Sequence, residues 1–346
     1  MSQWLDTTAF LLVDGFTNGA IYAQVALCLV LIFTITRVVN IAQGEYVMLG
    51  ALTLASFIEG VMPGSLYVAV VGLLIWGAAE SWSLRARPLS AALMFLGFVA
   101  VATVLVAITL AVVRMKLGMA AAMATSFLLV SVLGAVVYQL TVRPIATSST
   151  IVLVIVSVGV QMTMQGLGLL LWGSGPHNVP PVAIGEVMLG PVSVSYQSIW
   201  IIATSALMMT ALYAFFEFTI LGKALRASAV NRRGAQICGI PVTLAGSMSF
   251  FLAAGFSALS GMLVAPLITA HYDMGFTLGL KGFVGSAMGG LVDYPLAIGG
   301  VLVVGVLEAF SAYGLSAFRD AIVFMLIIPI LLWRSSRQPH GAQEDQ

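Results

Sequence analysis

Ten apolar segments, separated by short polar stretches, constrain the fold of this chain more than any other feature. They lie near residues 10–36, 44–61, 63–79, 91–113, 118–141, 150–172, 198–220, 242–270, 295–311 and 319–333. A helix crosses a bilayer with roughly 20 apolar residues and satisfies its own backbone hydrogen bonds there. The apolar runs are continuous and do not alternate, which argues against a transmembrane barrel. The pattern predicts an all-α, polytopic membrane protein with about ten transmembrane helices.

Composition supports a single transmembrane domain over residues 1–346. Hydrophobic residues make up 60% of the chain and charged residues 8%, whereas soluble domains carry roughly 25% charged residues. The net charge of +1 gives no reason to expect a nucleic-acid partner. Cys28 falls in the first apolar run and Cys238 in a basic stretch, so we expect no disulfide between them. The N-terminus lacks a basic region and a small-residue cleavage site, so we expect it to be retained.

The positions of Lys and Arg predict the orientation of the chain. The stretch 173–197 contains neither residue, whereas the stretches with Arg143 and with 223–233 are basic. Because cytoplasmic loops carry the excess of cations, the first stretch is predicted to be external and the others cytoplasmic. Counting spans from there places the N-terminus outside, and Arg334 and Arg337 favour a cytoplasmic C-terminus.

Two features complicate this count. Arg114 and Lys116 fall on the outside, against the rule, but moving any one span would create more violations. A cytoplasmic C-terminus also requires the glycine-rich stretch 279–291 to cross the membrane. About a dozen residues cover only about 18 Å as a helix. We therefore expect a short, broken or tilted segment packed among other helices.

A basic stretch at 222–241 carries four cations between two long apolar runs: Lys223, Arg226, Arg232 and Arg233. Its small residues predict one or two short helices on the membrane surface that fit a groove of a soluble partner. The cations would hold them at the anionic lipid leaflet. The alternative is an ordinary positive-inside loop. The match to a phosphate-binding loop fails, since Glu217 stands where a glycine is required, and so we expect no ATP binding through that motif.

Several motifs in order along the chain carry a family resemblance. They are GKALRA (222–227), NRRGAQICGIPV (231–242), NGAIYA (18–23), VNIAQGEYVMLGA (39–51), an Arg-Pro pair followed by 151–161, and GLKGFV (279–284) through GG to GVLE (305–308). Together they resemble the permease subunits of branched-chain amino acid ABC importers, and 222–241 is similar to the coupling loop of that family. The resemblance covers most of the chain.

The resemblance implies a non-catalytic subunit in the bacterial inner membrane that forms half of a translocation pathway. The implied partners are a second permease, homologous or identical, two ATPase subunits that bind ATP and magnesium, a periplasmic or extracellular solute-binding protein, and membrane lipid. This chain itself would bind no cofactor. The implied coupling-loop residues, where the ATPase would dock, are Gly222, Lys223, Ala224, Arg226, Ala227, Asn231, Arg232, Ala235 and Gly239.

The chain departs from the family pattern in places. Gln43 and Ile41 stand where His and Phe are usual, and Val230 and Asn231 replace acidic residues in the coupling loop. The stretch 63–113 is predicted to be an additional pair of helices, which leaves the topology downstream unchanged.

Polar residues near the first span are candidates for the pathway, because buried polar groups in membranes usually face a bundle interior or a pathway. The candidates are Asn18, Gln24, Asn40, Gln43 and Glu45. A structural role is the alternative, and Glu45 would in any case gain from the dipole of a helix start. Gln161 and Gln165, one turn apart, would line the pathway or bond a neighbouring helix.

Structural roles are expected for the other charged residues in the apolar runs. We expect Glu308 to be paired or neutral, Asp320 to pair with Arg319, and Lys281 to approach an anion or reach the interface.

Catalysis is not predicted from the sequence. His177, His271 and His340 lack the spacing of a metal site, and no set of Ser, His and acid is apparent. Two other functions stay open at this point, an ion-coupled secondary transporter and a passive small-solute channel. The first would need inverted repeats and intramembrane carboxylates, and the second would need no coupling loop.

Overall fold

The protein is a bundle of α-helices. The computed structural model describes residues 2–83, 88–189, 192–314 and 316–325, together with 328, 329 and 332. The helices are α1 (Ser2–Thr36), α2 (Gln43–Glu59), α3 (Gly64–Ser83), α4 (Pro88–Met115), α5 (Met119–Val137), α6 (Thr150–Trp172), α7 (Tyr196–Phe218), α8 (Ile220–Val230), α9 (Arg232–Ile237), α10 (Val242–Ile268), α11 (Met274–Met288), α12 (Tyr294–Gly314) and α13 (Arg319–Met325). A hairpin of strands β1 (Glu186–Leu189) and β2 (Val192–Ser195) lies between α6 and α7.

The prediction of a polytopic all-α membrane protein is confirmed. In the described ranges, eight helices are long and apolar enough to cross a membrane, namely α1, α3, α4, α5, α6, α7, α10 and α12. Helix α2 has 17 residues and α11 has 15, so both are short for a full crossing. The last predicted span, 319–333, is described only in part, and Arg334 and Arg337 lie outside the described residues.

The glycine-rich stretch is short, as predicted, but it is not broken. Helix α11 begins at Met274, five residues before the predicted start, and continues through Met288 without interruption. The early start was missed because glycine has a weak intrinsic preference for helix. Packing against α1, α2 and α12 supplies what the local sequence lacks.

Helix α1 lies at the centre of the bundle, and small residues bring its neighbours close. A Cβ atom built on Gly15 would lie 2.7 Å from the Cα of Val306, and one built on Gly19 would lie 3.0 Å from the Cα of Leu302. Two glycines one turn apart thus let α12 approach the backbone of α1. Such close contact matters because lipid gives apolar helices no hydrophobic reason to associate.

The two ends of the bundle differ. One end carries the hairpin, and there the backbone of His177 pairs with that of Ala270. The other end carries α8 and α9. The 23 residues of α7 connect the two ends over about 35 Å, so α8 and α9 lie on the face opposite the hairpin.

Four helices meet at a buried cluster of charges. The Lys281 ammonium on α11 lies 2.7 Å from the Glu308 carboxylate on α12 and 2.9 Å from the Asp320 carboxylate on α13. Tyr22 on α1 donates a hydrogen bond of 2.6 Å to the other oxygen of Glu308. The side chains of Lys281 and Glu308 are 3% and 5% exposed. Arg319 lies 3.5 Å from Asp320, which is the predicted charge pair, and Lys281 stays buried instead of reaching the interface.

Lys281→Met tests this cluster. The substitution leaves the buried Glu308 carboxylate with the half-exposed Arg319 guanidinium, 3.5 Å away, as its remaining cation among the described residues. Removing one partner of a buried pair costs about 3–5 kcal/mol. We expect a marked fall in the thermal unfolding midpoint of the purified protein in detergent. Lys116→Met, which removes an exposed ammonium, is the control and should leave the midpoint within a degree or two. Equal midpoints for the two variants would contradict the assignment.

At the hairpin end, His177 links the stretch after α6 to the end of α2. Its Nδ1 lies 2.8 Å from the Glu59 carboxylate and its Nε2 lies 3.2 Å from the Trp172 carbonyl. The hydrogen bond that the imidazole donates to the Glu59 carboxylate raises the pKa of His177 above its ordinary value. A raised folded-state pKa means that the contact stabilises the fold fully below the unfolded pKa and loses this effect as the pH rises through the folded pKa.

We therefore expect the 173–185 stretch to become more susceptible to proteolysis between pH 6 and pH 8, corrected for the activity of the protease. In the Glu59→Gln variant, cleavage should be faster at pH 6 than in the parent and nearly independent of pH. A parent protein whose cleavage shows the same flat profile would rule out this link.

Candidate functional site

Helices α8 and α9 form a surface at the end opposite the hairpin. Each begins with a side-chain cap: the Thr219 hydroxyl accepts from the Gly222 N–H at 2.9 Å, and the Asn231 amide oxygen accepts from the Gly234 N–H at 2.8 Å. Such caps satisfy N–H groups that a helix start leaves free. The prediction of one or two short helices is therefore confirmed, with Asn231 as the division between them.

This surface is fixed to the bundle on one side and open on the other. Gly222 brings α8 against α7, since a Cβ atom there would lie 2.7 Å from the Cα of Phe216. Leu225 and Ala235 are buried. Of the predicted coupling residues, Gly222 and Ala235 are buried, Ala224 is half-buried, and the exposed ones are Lys223, Arg226, Ala227, Asn231, Arg232 and Gly239.

A groove of about 480 Å³ runs between the two helices. Its lining consists of Lys223, Arg226, Ala227, Val230, Asn231, Gly234, Ala235, Cys238 and Ile240. Val230 is 83% exposed, and Ile237 at the end of α9 is 87% exposed. Exposed apolar side chains beside a cationic groove are typical of a protein-binding surface. Sequence reasoning singled out the cations and small residues but missed Ile237.

The second candidate site lies where the chain leaves α1. Residues 37–42 are not helical, and Arg37 has φ of 60°. Asn40 donates to the Gln43 amide oxygen at 3.0 Å, and the Gln43 amide donates to the Ala253 carbonyl at 3.0 Å and to the Ser257 hydroxyl at 2.7 Å. Both Asn40 and Gln43 are buried.

These hydrogen bonds place the start of α2 deep in the bundle. Ala253 follows the first residue of α10 by eleven residues, or about 17 Å along a helix of about 40 Å. Non-helical backbone at such depth is tolerated only where protein or a water-filled cavity surrounds it. Interrupted helices of this kind form the binding sites of many transporters.

Helix α6 presents a polar face to the start of α2. Ser157 accepts from the Ile41 N–H at 3.4 Å, and Gln161 donates to one oxygen of Glu45 at 3.3 Å and to Gln165 at 3.5 Å. Ser157, Gln161 and Gln165 recur every four residues, so they share one face of the helix. Gln161 thus bonds a neighbouring helix, which was one of the two possibilities for this pair.

We name Asn40, Gln43 and Glu45 with the facing Ser157 and Gln161 the interior polar cluster. Two of the predicted pathway residues lie apart from it. Gln24 donates to the Ser205 hydroxyl of α7 at 2.7 Å. Asn18 is half-buried and makes a 3.5 Å contact with Asp14 on its own helix.

Among the described residues no group of three His, Cys, Asp or Glu could hold a metal ion. Cys28, which is buried, and Cys238, which is exposed, are both free, as predicted.

Comparison with known proteins agrees with this architecture. The family described as "Branched-chain amino acid transport system / permease component" matches residues 11–331. The chain belongs to this family. It is 25% identical over 328 residues to the high-affinity branched-chain amino acid transport system permease protein LivH of Salmonella typhimurium, covering 92% of this chain and 91% of the relative.

Two further relatives carry similar names. Identity to the permease protein BraD of Pseudomonas aeruginosa is 26% over 331 residues, which covers 93% of this chain and 92% of BraD. Identity to LivH of Escherichia coli is 24% over 328 residues, with 92% and 91% coverage. No solved structure gave a significant match.

The contribution of Gln43 to this permease fold is measurable. Gln43→Leu leaves the Ser257 hydroxyl and the Asn40 amide buried without their partner, and each such group costs about 1–3 kcal/mol. We expect a clear fall in the thermal unfolding midpoint in detergent. Gln165→Leu removes the same functional group from a half-buried position and should change the midpoint far less. The reverse order would show that Gln43 is not a structural link.

Proposed function

We propose that this chain is the permease subunit of an ATP-binding-cassette importer for small polar solutes such as branched-chain amino acids, in a bacterial inner membrane. The observation that carries the proposal is the family match over residues 11–331 combined with the exposed cationic surface of α8 and α9. An ATP-driven permease needs a firm contact with the ATPase subunit that moves it. A surface held to the bundle by buried residues and open towards the other side suits that role.

Of the two ATPase subunits, one would dock in the groove of α8 and α9 of this chain and the other on the corresponding loop of the second permease, and both would bind ATP and magnesium. Lys223, Arg226 and Arg232 would attract the partner, and Val230 and Ile237 would supply apolar contact. Because Gly222 seats α8 directly on α7, movement of the docked partner would reach the transmembrane helices. Packed helices switch between discrete arrangements, so such movement would open the pathway alternately to each side.

The other partners would occupy different surfaces. In their apolar windows α6 and α7 are only 28% and 22% buried, so we propose that a second permease covers part of this area and lipid the rest. A solute-binding protein would deliver substrate to the hairpin face, with the N-terminus outside and the C-terminus in the cytoplasm. The interior polar cluster would line this chain's half of the pathway.

A secondary transporter or a passive channel would have no use for a cationic docking groove, so we rank both below the importer. The chain itself would be non-catalytic. The names of the relatives favour branched-chain amino acids as substrates. The interior polar cluster suits a solute with hydrogen-bonding groups.

Substitution of Val230 and Ile237 by Gln tests the docking surface. Burial of an aliphatic side chain is worth about 1.5–3 kcal/mol, and about 1.4 kcal/mol corresponds to a tenfold change in affinity. We expect the double variant to bind its partner ATPase at least about tenfold more weakly in detergent, and to lose ATP-driven uptake in proportion.

Ile184→Gln is the matched control, because Ile184 is 87% exposed at the hairpin end. It should retain ATPase binding. Unchanged ATPase affinity in the double variant would exclude α8 and α9 as the docking surface.

A further inference from the structure

One carboxylate oxygen in the interior polar cluster has no partner. Glu45 is completely buried. Its Oε1 accepts the hydrogen bond from Gln161, but within the described part of the chain its Oε2 has no hydrogen-bond partner. Burial of an unpaired carboxylate oxygen is costly. The environment must therefore compensate the charge in some other way, or a cation must come to the site during function.

Part of the compensation comes from two helix starts that meet at Glu45. A Cβ atom built on Gly275, in the first turn of α11, would lie 2.8 Å from Glu45 Oε2 and 2.7 Å from the Gly44 carbonyl oxygen of α2. In the described structure, neither Ala42 before α2 nor Asp273 before α11 caps its helix with a side chain. Each helix start carries roughly half a positive charge.

The charges at this point are thus arranged as a complementary pair. One oxygen of Glu45 is free to accept from a cation. Once a cation neutralises Glu45, the partial positive charges of the two uncapped helix starts become available to an anion. A neutral solute such as urea or an amide would satisfy the hydrogen-bonding groups but not the charge. A zwitterionic amino acid carries one charge of each sign on adjacent atoms, which fits both features at once.

We infer that Glu45 Oε2 accepts the α-ammonium group of an amino acid in the pathway, while the adjoining starts of α2 and α11 stabilise its α-carboxylate. This inference rests on the proposed function. It narrows the substrate class to solutes with a free ammonium group and makes Glu45 the residue that selects them within the membrane.

The site is closed in the present conformation. The starts of α2 and α11 touch through Gly44, Gly275 and Gly279, so the substrate must enter when these helix starts separate. On the side of α6, a chain of hydrogen bonds connects half-buried Gln165 through Gln161 to Glu45. Glycine backbone makes the closest part of this contact, and no ion pair joins the two helix starts in the described structure.

The test uses the complete transporter, with its permease partner, ATPases and binding protein, in proteoliposomes. ATP-driven uptake of radiolabelled leucine and ATP hydrolysis are measured for the parent and for Glu45→Gln. The variant is isosteric and keeps an oxygen for Gln161, but it loses the charge. We expect leucine uptake to fall at least about tenfold while ATP hydrolysis continues, with Glu45→Asp intermediate. The control is Glu80→Gln, which removes a carboxylate paired with Arg143 at the far end of α3.

A second measurement separates recognition from a structural role. Leucine binding to the permease–ATPase complex in detergent, without binding protein, is competed with 4-methylpentanoate, which lacks the ammonium group. The parent complex should prefer leucine at least about tenfold, and Glu45→Gln should bind the two compounds equally. Normal uptake by Glu45→Gln, or a retained preference for leucine, or no leucine binding by the parent, would overturn the inference. Absence of ATP-driven uptake by the parent transporter would instead refute the proposed function.

Discussion

Inside a bilayer, every backbone N–H and C=O group needs a hydrogen-bond partner from the protein, and this constraint determines the architecture of the molecule. Long helices meet that need within themselves, and eight described helices are long and apolar enough to cross a bilayer. Residues 37–42 are not helical, so their backbone groups need hydrogen-bond partners from neighbouring helices. Ser157 of α6 accepts from the Ile41 N–H, and the side chain of Gln43 ties the same region to α10. The break is tolerated because α6 and α10 enclose it, which is also why polar side chains concentrate at this point.

Close packing through glycine is the second organising force. Gly15 and Gly19 allow α12 to approach the backbone of α1 closely. Gly44 and Gly275 allow the same close approach between α2 and α11. In lipid, dispersion between closely approaching backbones replaces the hydrophobic effect as the source of helix association. A larger residue at any of these positions would have to push a neighbouring backbone aside.

The sequence was sufficient for the fold class, because a run of apolar residues needs no knowledge of its neighbours to identify a span. It also located α8 and α9, since cations and small residues stand out in an apolar chain. It could not show that Gln161 reaches Glu45, because periodicity gives the face of a helix but not the helix opposite. The start of α11 at Met274 was missed for a related reason, as tertiary packing overrides the weak local preference of glycine. The roles of the docking surface and of the interior polar cluster remain predictions.

The charge cluster around Lys281 has a mechanical consequence. Lys281 and Glu308 are both buried, so separating them would leave two charges away from water, and this pair joins α11 firmly to α12. Tyr22 of α1 and the half-exposed Asp320 of α13 contact the same pair. Helix α2 contacts the start of α11 through Gly44, Gly275 and Gly279. In the described structure, no ion pair would break if these two helices moved past each other. Helix α11 is thus held to α12 by a buried ion pair and to α2 by a close glycine contact without an ion pair. Relative movement within the bundle would therefore occur more easily between α2 and α11 than between α11 and α12.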